Sequence, residues 1–205
     1  MIELSDMELD AISEAFNIGI GHAASSLSEM LGQEVSLSVP EAKILQRSEV
    51  VANLNSTGEQ RINGVSQRFS GPFLGRALLL FPEEESLELV RVLLKQDVDL
   101  EFLSEMEQDA LVEVGNIILN ACLSSIAHIV DEEMINEIPD LVRGDLKKII
   151  TGESPKEDED YVLLLRMDFA VKEIDIGGYI AFLMDIQALD TFRHKLLTYF
   201  GFSEQ

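Results

Sequence analysis

The chain has 205 residues, 46% of them apolar, enough to bury one core or two small halves that share one. Its 15 basic residues face 38 acidic ones, and a net charge of −23 opposes docking to nucleic-acid phosphates or to anionic lipid. The single cysteine, Cys122, excludes an internal disulfide. With no secretion-like start and no continuous apolar run long enough to cross a bilayer, a cytoplasmic protein is expected.

From Ser5 to Leu31, apolar groups recur at Leu9, Ile12, Phe16, Ile20, Ala23, Leu27 and Met30, a three-and-four spacing that predicts a helix with one buried stripe. Ser5 or Asp6 is its N-cap and Gly32 its stop. Glu34 to Val39 alternates as a half-buried strand does, and Pro40 ends or edges it. Arg61 to Phe69 and Leu74 to Phe81, joined through Ser70-Gly71-Pro72, predict a hairpin. Pro82 and the acidic run Glu83-Glu84-Glu85 then open an amphipathic helix through Leu87, Val90, Leu93 and Leu94.

The same order is expected again: a long helix from about Ser104 to Val130, strands near Tyr161 to Glu173 and Gly178 to Asp185, and a helix near Ala188 to Phe200. Between them, Asp131 to Asp160 carries no firm pattern, and its acidic end, Thr151 to Asp160, is expected to be a mobile loop.

An offset of 99 residues lays Glu8 to Ser28 over Glu107 to Ala127 with eight identities in 21 positions, including Glu14/Glu113, Asn17/Asn116 and Ser25/Ser124. Chance alignment gives on the order of one or two, so the chain reads as a duplication. An offset of 102 extends it through Gly75/Gly177, Leu87/Leu189, Arg91/Arg193 and Leu94/Leu196. The expected fold is α+β, with two pseudo-twofold halves, about 1–100 and 101–205, sharing antiparallel sheet with long helices packed on it.

Opposite the apolar stripe, the first helix carries Asp10, Glu14, Asn17, Gly21, Ser25 and Ser28, and the second carries Asp109, Glu113, Asn116, Asn120, Ser124 and Ala127. A solvated helix face commonly holds Glu and Asn. Recurrence of Glu-x-x-Asn in register is less ordinary, because mid-helix Asn is a poor helix former. Gly19, Gly21, Ala24 and Ser25 would admit another backbone at close range, as a partner's or as a neighbouring helix's. Cys122 falls at the repeat position of core Ala23 and reads as buried and inert, while His22, His128 and His194 lack zinc-ligand spacing. The paired serines have no nucleophile-elbow context.

The run Glu14-Ala15-Phe16-Asn17-Ile18-Gly19-Ile20-Gly21-His22, with Met30-Leu31, the strand at Val35 to Val39, and Glu113-Val114-Gly115-Asn116, closely resembles the CheC family of chemotaxis phosphatases. Two copies of the helix resemble the two-site members and not the single-site CheX relatives. The resemblance implies hydrolysis of the aspartyl phosphate on a CheY-like response regulator, with Asn17 and Asn116 positioning water and Glu14 and Glu113 docking to a regulator lysine. It implies no intrinsic cofactor, since the regulator supplies Mg²⁺, and it implies CheD, a receptor deamidase that some members bind, as a second possible partner. The alternative is a non-catalytic adaptor that binds a regulator or CheD through the same helices. Asn120, where the first helix has Gly21, departs from the small residue the family often keeps. Flagellar-switch members carry motor segments for which this length leaves no room, so a switch component is the less expected variant.

Overall fold

The computed structural model describes residues 5–54, 61–95, 104–151, 161–171 and 174–201. Helix α1 (Asp6–Leu31) starts at Ser5, whose side chain and that of Glu8 each accept from the other residue's backbone N–H, and it ends at Gly32 in the left-handed region, φ 64°. Strand β1 (Val35–Gln46) and the short α2 (Arg47–Leu54) follow. The hairpin β2 (Arg61–Ser70) and β3 (Gly75–Pro82) leads into α3 (Glu83–Leu94). The second half repeats this as α4 (Glu105–Val130), β4 (Ile135–Asn136) with β5 (Asp140–Asp145), α5 (Leu146–Thr151), β6 (Tyr161–Val171), β7 (Ile174–Met184) and α6 (Ile186–Tyr199). Helix α4 matches α1 in length, at 26 residues, and opens on a second capping box, Ser104 with Glu107.

The seven strands among the described residues form one antiparallel sheet in the order β1-β6-β7-β3-β2-β4, with β5 also on β2. The halves interlace: β1 pairs with the second hairpin through β6, and β5 pairs with the first through β2. Alternate residues of the central strands face opposite sides. Leu79, Phe81, Leu163, Leu165, Ile180 and Phe182 join the large core under α1, α3, α4 and α6. Leu78, Leu80, Leu164, Ala181 and Leu183 join a smaller core under α2 and α5. Burial on both sides is why these strands read as unbroken apolar runs.

Two sequence expectations need correction, and one stretch without a readable pattern proves ordered. Pro40 does not end β1, which continues to Gln46. The register with β6 shifts between Ser38 and Glu41, so Val39 and Pro40 form a bulge on an edge strand, where a residue without an N–H is tolerated. Met30 is 47% exposed and the inward position belongs to Leu31, because the spacing after Leu27 can close at either three or four residues. Asp131 to Thr151, unreadable in the sequence, holds β4, β5 and α5, while 152–160 lie outside the described residues, as do 172–173 at the end of the expected strand Tyr161 to Glu173. Helix α4 has the length and hydropathy of a membrane-crossing helix, but Leu111, Val114, Ile118, Leu119 and Cys122 on it are core residues at 0% exposure.

Glu8, only 3% exposed, ties the start of α1 to α6 by accepting from Arg193 Nε. Burial pushes its carboxyl upward, but the hydrogen bonds from Arg193 and Ser5 and the Arg193 charge outweigh that and hold it below the usual carboxylate value. A depressed folded pKa gives stability that is present at neutral pH and lost as pH falls through the folded value. Glu8→Gln should therefore cost about 1–3 kcal/mol at pH 7. The gap to the parent in chemical denaturation should close as the pH falls through the lowered value of the Glu8 carboxyl.

Candidate functional site

Helices α1 and α4 pack side by side, and Gly19 is what brings them together. A Cβ there would sit 2.8 Å from the backbone oxygen of Ala121 and 2.1 Å from Ser125 Oγ. Gly21 has open space around it, so of the two glycines only Gly19 serves helix packing inside the protein. With their inner faces committed, both helices turn the opposite side outward. Asp10, Glu14, Gly21 and Ser25 are exposed with Asn17 half-buried, and Asp109, Glu113 and Ser124 are exposed with Asn116 and Asn120 half-buried. Glu14 and Glu113 make no hydrogen bond or ion pair among the described residues. Both carboxylates are open to a partner.

The two asparagines are held differently. Asn17 Oδ1 accepts from Val39 N at 2.9 Å, and Asn17 Nδ2 donates to Val39 O at 3.3 Å. Val39 sits in the β1 bulge and is 1% exposed, so its backbone groups, displaced from regular pairing with β6, are satisfied by this amide. A backbone N–H and C=O are unambiguous, and they fix which end of Asn17 is which. One lone pair on Oδ1 and one N–H on Nδ2 remain for another molecule. Ser28 Oγ, accepting from Val35 N at 2.9 Å, ties the same helix to the same strand lower down.

Asn116 instead meets a side chain: its Oδ1 accepts from Asn120 Nδ2 at 2.7 Å, and its Nδ2 makes no hydrogen bond among the described residues. Asn120 Oδ1 in turn accepts from Asn136 Nδ2 at 2.8 Å and from Gln67 Nε2 at 3.2 Å. Of these partners, Val39, Gln67 and Asn136 are not legible in the sequence as site residues, whereas Asn120 is marked by its place on the outward face. The other available signal is Asn120 standing where the first helix has Gly21.

The other chemistry-bearing side chains take structural roles. Cys122 is fully buried, which pushes its thiol up to about 12. Ser26 and Ser125 donate to the carbonyls of His22 and Ala121 one turn back on their own helices. His22 and His128 line a groove of about 490 Å³ between α1 and α4 that none of Glu14, Asn17, Glu113 and Asn116 borders.

The CheC-like family model matches residues 7–44, the stretch holding α1, Glu14, Asn17 and the β1 bulge. The CheY-P phosphatase CheC of Bacillus subtilis is 27% identical over 141 residues, 67% of either chain. The flagellar motor switch phosphatase FliY of the same organism is 22% identical over 173 residues, 83% of this chain and 44% of FliY. In three dimensions the fold is similar to that of Thermotoga maritima FliY, with a TM-score of 0.74 at 18% identity and 98% of both chains covered. Matched on its first helix and strand by the family model and along most of its length by these relatives, the chain is similar to the CheC-like family and shares the fold of Thermotoga maritima FliY.

Proposed function

We propose that this protein is a phosphatase that hydrolyses the aspartyl phosphate of a CheY-like response regulator, using Glu14/Asn17 and Glu113/Asn116 as two separate sites. The observation that carries the reading is the duplicated, outward Glu-x-x-Asn pair in which each Asn is held at Oδ1 by one hydrogen bond and keeps bonding capacity outward. The name of one relative, CheY-P phosphatase CheC, suggests the substrate class, and that of another, flagellar motor switch phosphatase FliY, is in keeping with a phosphatase.

An acyl phosphate is already activated, so the enzyme needs chiefly to hold water in line with the phosphorus. The free lone pair on each Oδ1 accepts a hydrogen bond from that water, and the free N–H of Nδ2 donates toward a phosphoryl oxygen. Glu14 and Glu113, one turn before each Asn, dock to a cationic side chain on the regulator. Mg²⁺ comes with the regulator. The test is the decay of the acyl phosphate on purified regulator in the presence of Mg²⁺, with and without this protein. Faster decay with the protein supports the reading, and decay at the spontaneous rate overturns it. Protection of the phosphate from decay would instead favour an adaptor that sequesters the regulator.

A further inference from the structure

The repeat that aligns Asn17 with Asn116 also aligns Val39-Pro40 with Ile138-Pro139. In the first half, Val39 is buried at 1% and its backbone grips Asn17. In the second, Ile138 is 87% exposed, lies between β4 and β5, and makes no hydrogen bond to Asn116. The strand contact that orients the first asparagine is missing from the second.

We propose that Asn120 and Gln67 replace it, acting as positioning residues that fix the amide orientation of Asn116. This rests on the phosphatase reading for its consequence and on hydrogen-bond geometry for its substance. Orientation enters the network from a backbone carbonyl: Gln67 Nε2, on a side chain 2% exposed, donates to Glu137 O at 2.9 Å, which identifies that end of Gln67 as the donor. The same nitrogen donates to Asn120 Oδ1, and Asn136 Nδ2 donates there too. With its oxygen facing two donors, Asn120 must turn Nδ2 toward Asn116, and Asn116 must receive it with Oδ1. Asn116 Nδ2 is thereby turned outward. Asn120 also stands where the first helix has Gly21, whose half has no need of such a residue because Val39 performs the task.

Asn120→Asp is nearly isosteric and keeps the two acceptor contacts, yet it cannot donate to Asn116. Its carboxylate would draw Asn116 Nδ2 inward and turn Oδ1 toward the phosphoryl oxygens. Asn120→Ala removes the tie without imposing the wrong orientation. In regulator dephosphorylation we expect Asn120→Asp to lower the second-site contribution to kcat about tenfold with KM unchanged. Asn120→Ala should lower it less. Asn116→Ala combined with Asn120→Asp should be no slower than Asn116→Ala alone.

Side-chain amide NMR of the unliganded protein tests the orientation without any activity. The Asn116 NH₂ resonances should move downfield in Asn120→Asp, where they gain a carboxylate acceptor, and should stay near solvent-exposed values in the parent. Unshifted Asn116 resonances in Asn120→Asp overturn the proposal, as does a loss from Asn120→Ala that equals or exceeds that from Asn120→Asp. If the parent does not accelerate decay at all, the phosphatase reading fails while the NMR result still decides the orientation.

Discussion

Replacing both Asn17 and Asn116 by alanine is expected to lower the catalysed part of regulator dephosphorylation by about 100-fold or more, the scale of losing an oriented polar group at a reacting centre. Each single replacement should leave the other site working. The two will not be equal in stability. Asn17→Ala strands the backbone N–H and C=O of buried Val39 and should cost about 1–3 kcal/mol, because unmade hydrogen bonds of buried groups are expensive. Asn116→Ala frees only the half-buried Asn120 amide, which water can reach, and should cost less than about 1 kcal/mol. Activity measured beside denaturation therefore separates the chemical role of each amide from its structural one.

The second large effect is expected in the core beneath the first site. Phe182 of β7 is fully buried, with its ring centroid 5.4 Å from that of Phe16 on α1 and 6.4 Å from that of Phe69 on β2. Phe16 immediately precedes Asn17, so this ring contact seats the part of α1 that carries the first site. Phe182→Ala removes the transfer free energy of a buried ring and leaves a cavity, for a loss of about 3–5 kcal/mol. Thermal unfolding measures the loss directly. The first site should suffer more than the second, because its helix loses part of its seat while α4 keeps its contacts with β2 and α3.

What the sequence revealed and concealed follows from the range of each interaction. The two long helices were legible because their stripes and caps are local: Ser5 with Glu8 and Ser104 with Glu107 lie three residues apart. Their relation was legible because duplication repeats a pattern in register. Helices α2 and α5 were not foreseen, since each spans at most eight residues and shows no extended stripe. The apolar runs Leu78 to Phe81 and Val162 to Leu165 held the clue, because a strand apolar on both faces needs cover on both.

At the site, exposure of Glu14 and Glu113 could be read from helical periodicity. The grips on the asparagines could not. Val39 reaches Asn17 across 22 residues through a bulge, and Gln67 reaches Asn120 across 53 through the packing of α4 on β2. Neither contact leaves a local spacing in the chain. Pro40 signalled irregularity in the strand without saying that the strand would continue past it, and only the paired sheet shows why it does: β6 resumes its register at Glu41. Gly19 and Gly21 look alike in the sequence, and only the position of α4 distinguishes them.

On the proposed function, the two outward Glu-x-x-Asn pairs turn over a phosphorylated regulator instead of merely holding it. The most direct measurement is inorganic phosphate released from phosphorylated CheY-like regulator in large molar excess over this protein, with Mg²⁺ present. Many phosphates should be released per protein molecule, faster than spontaneous hydrolysis, with a return to the spontaneous rate when Asn17 and Asn116 are both replaced. Release at the spontaneous rate with the native protein, or acceleration that survives the double replacement, would contradict the proposed function.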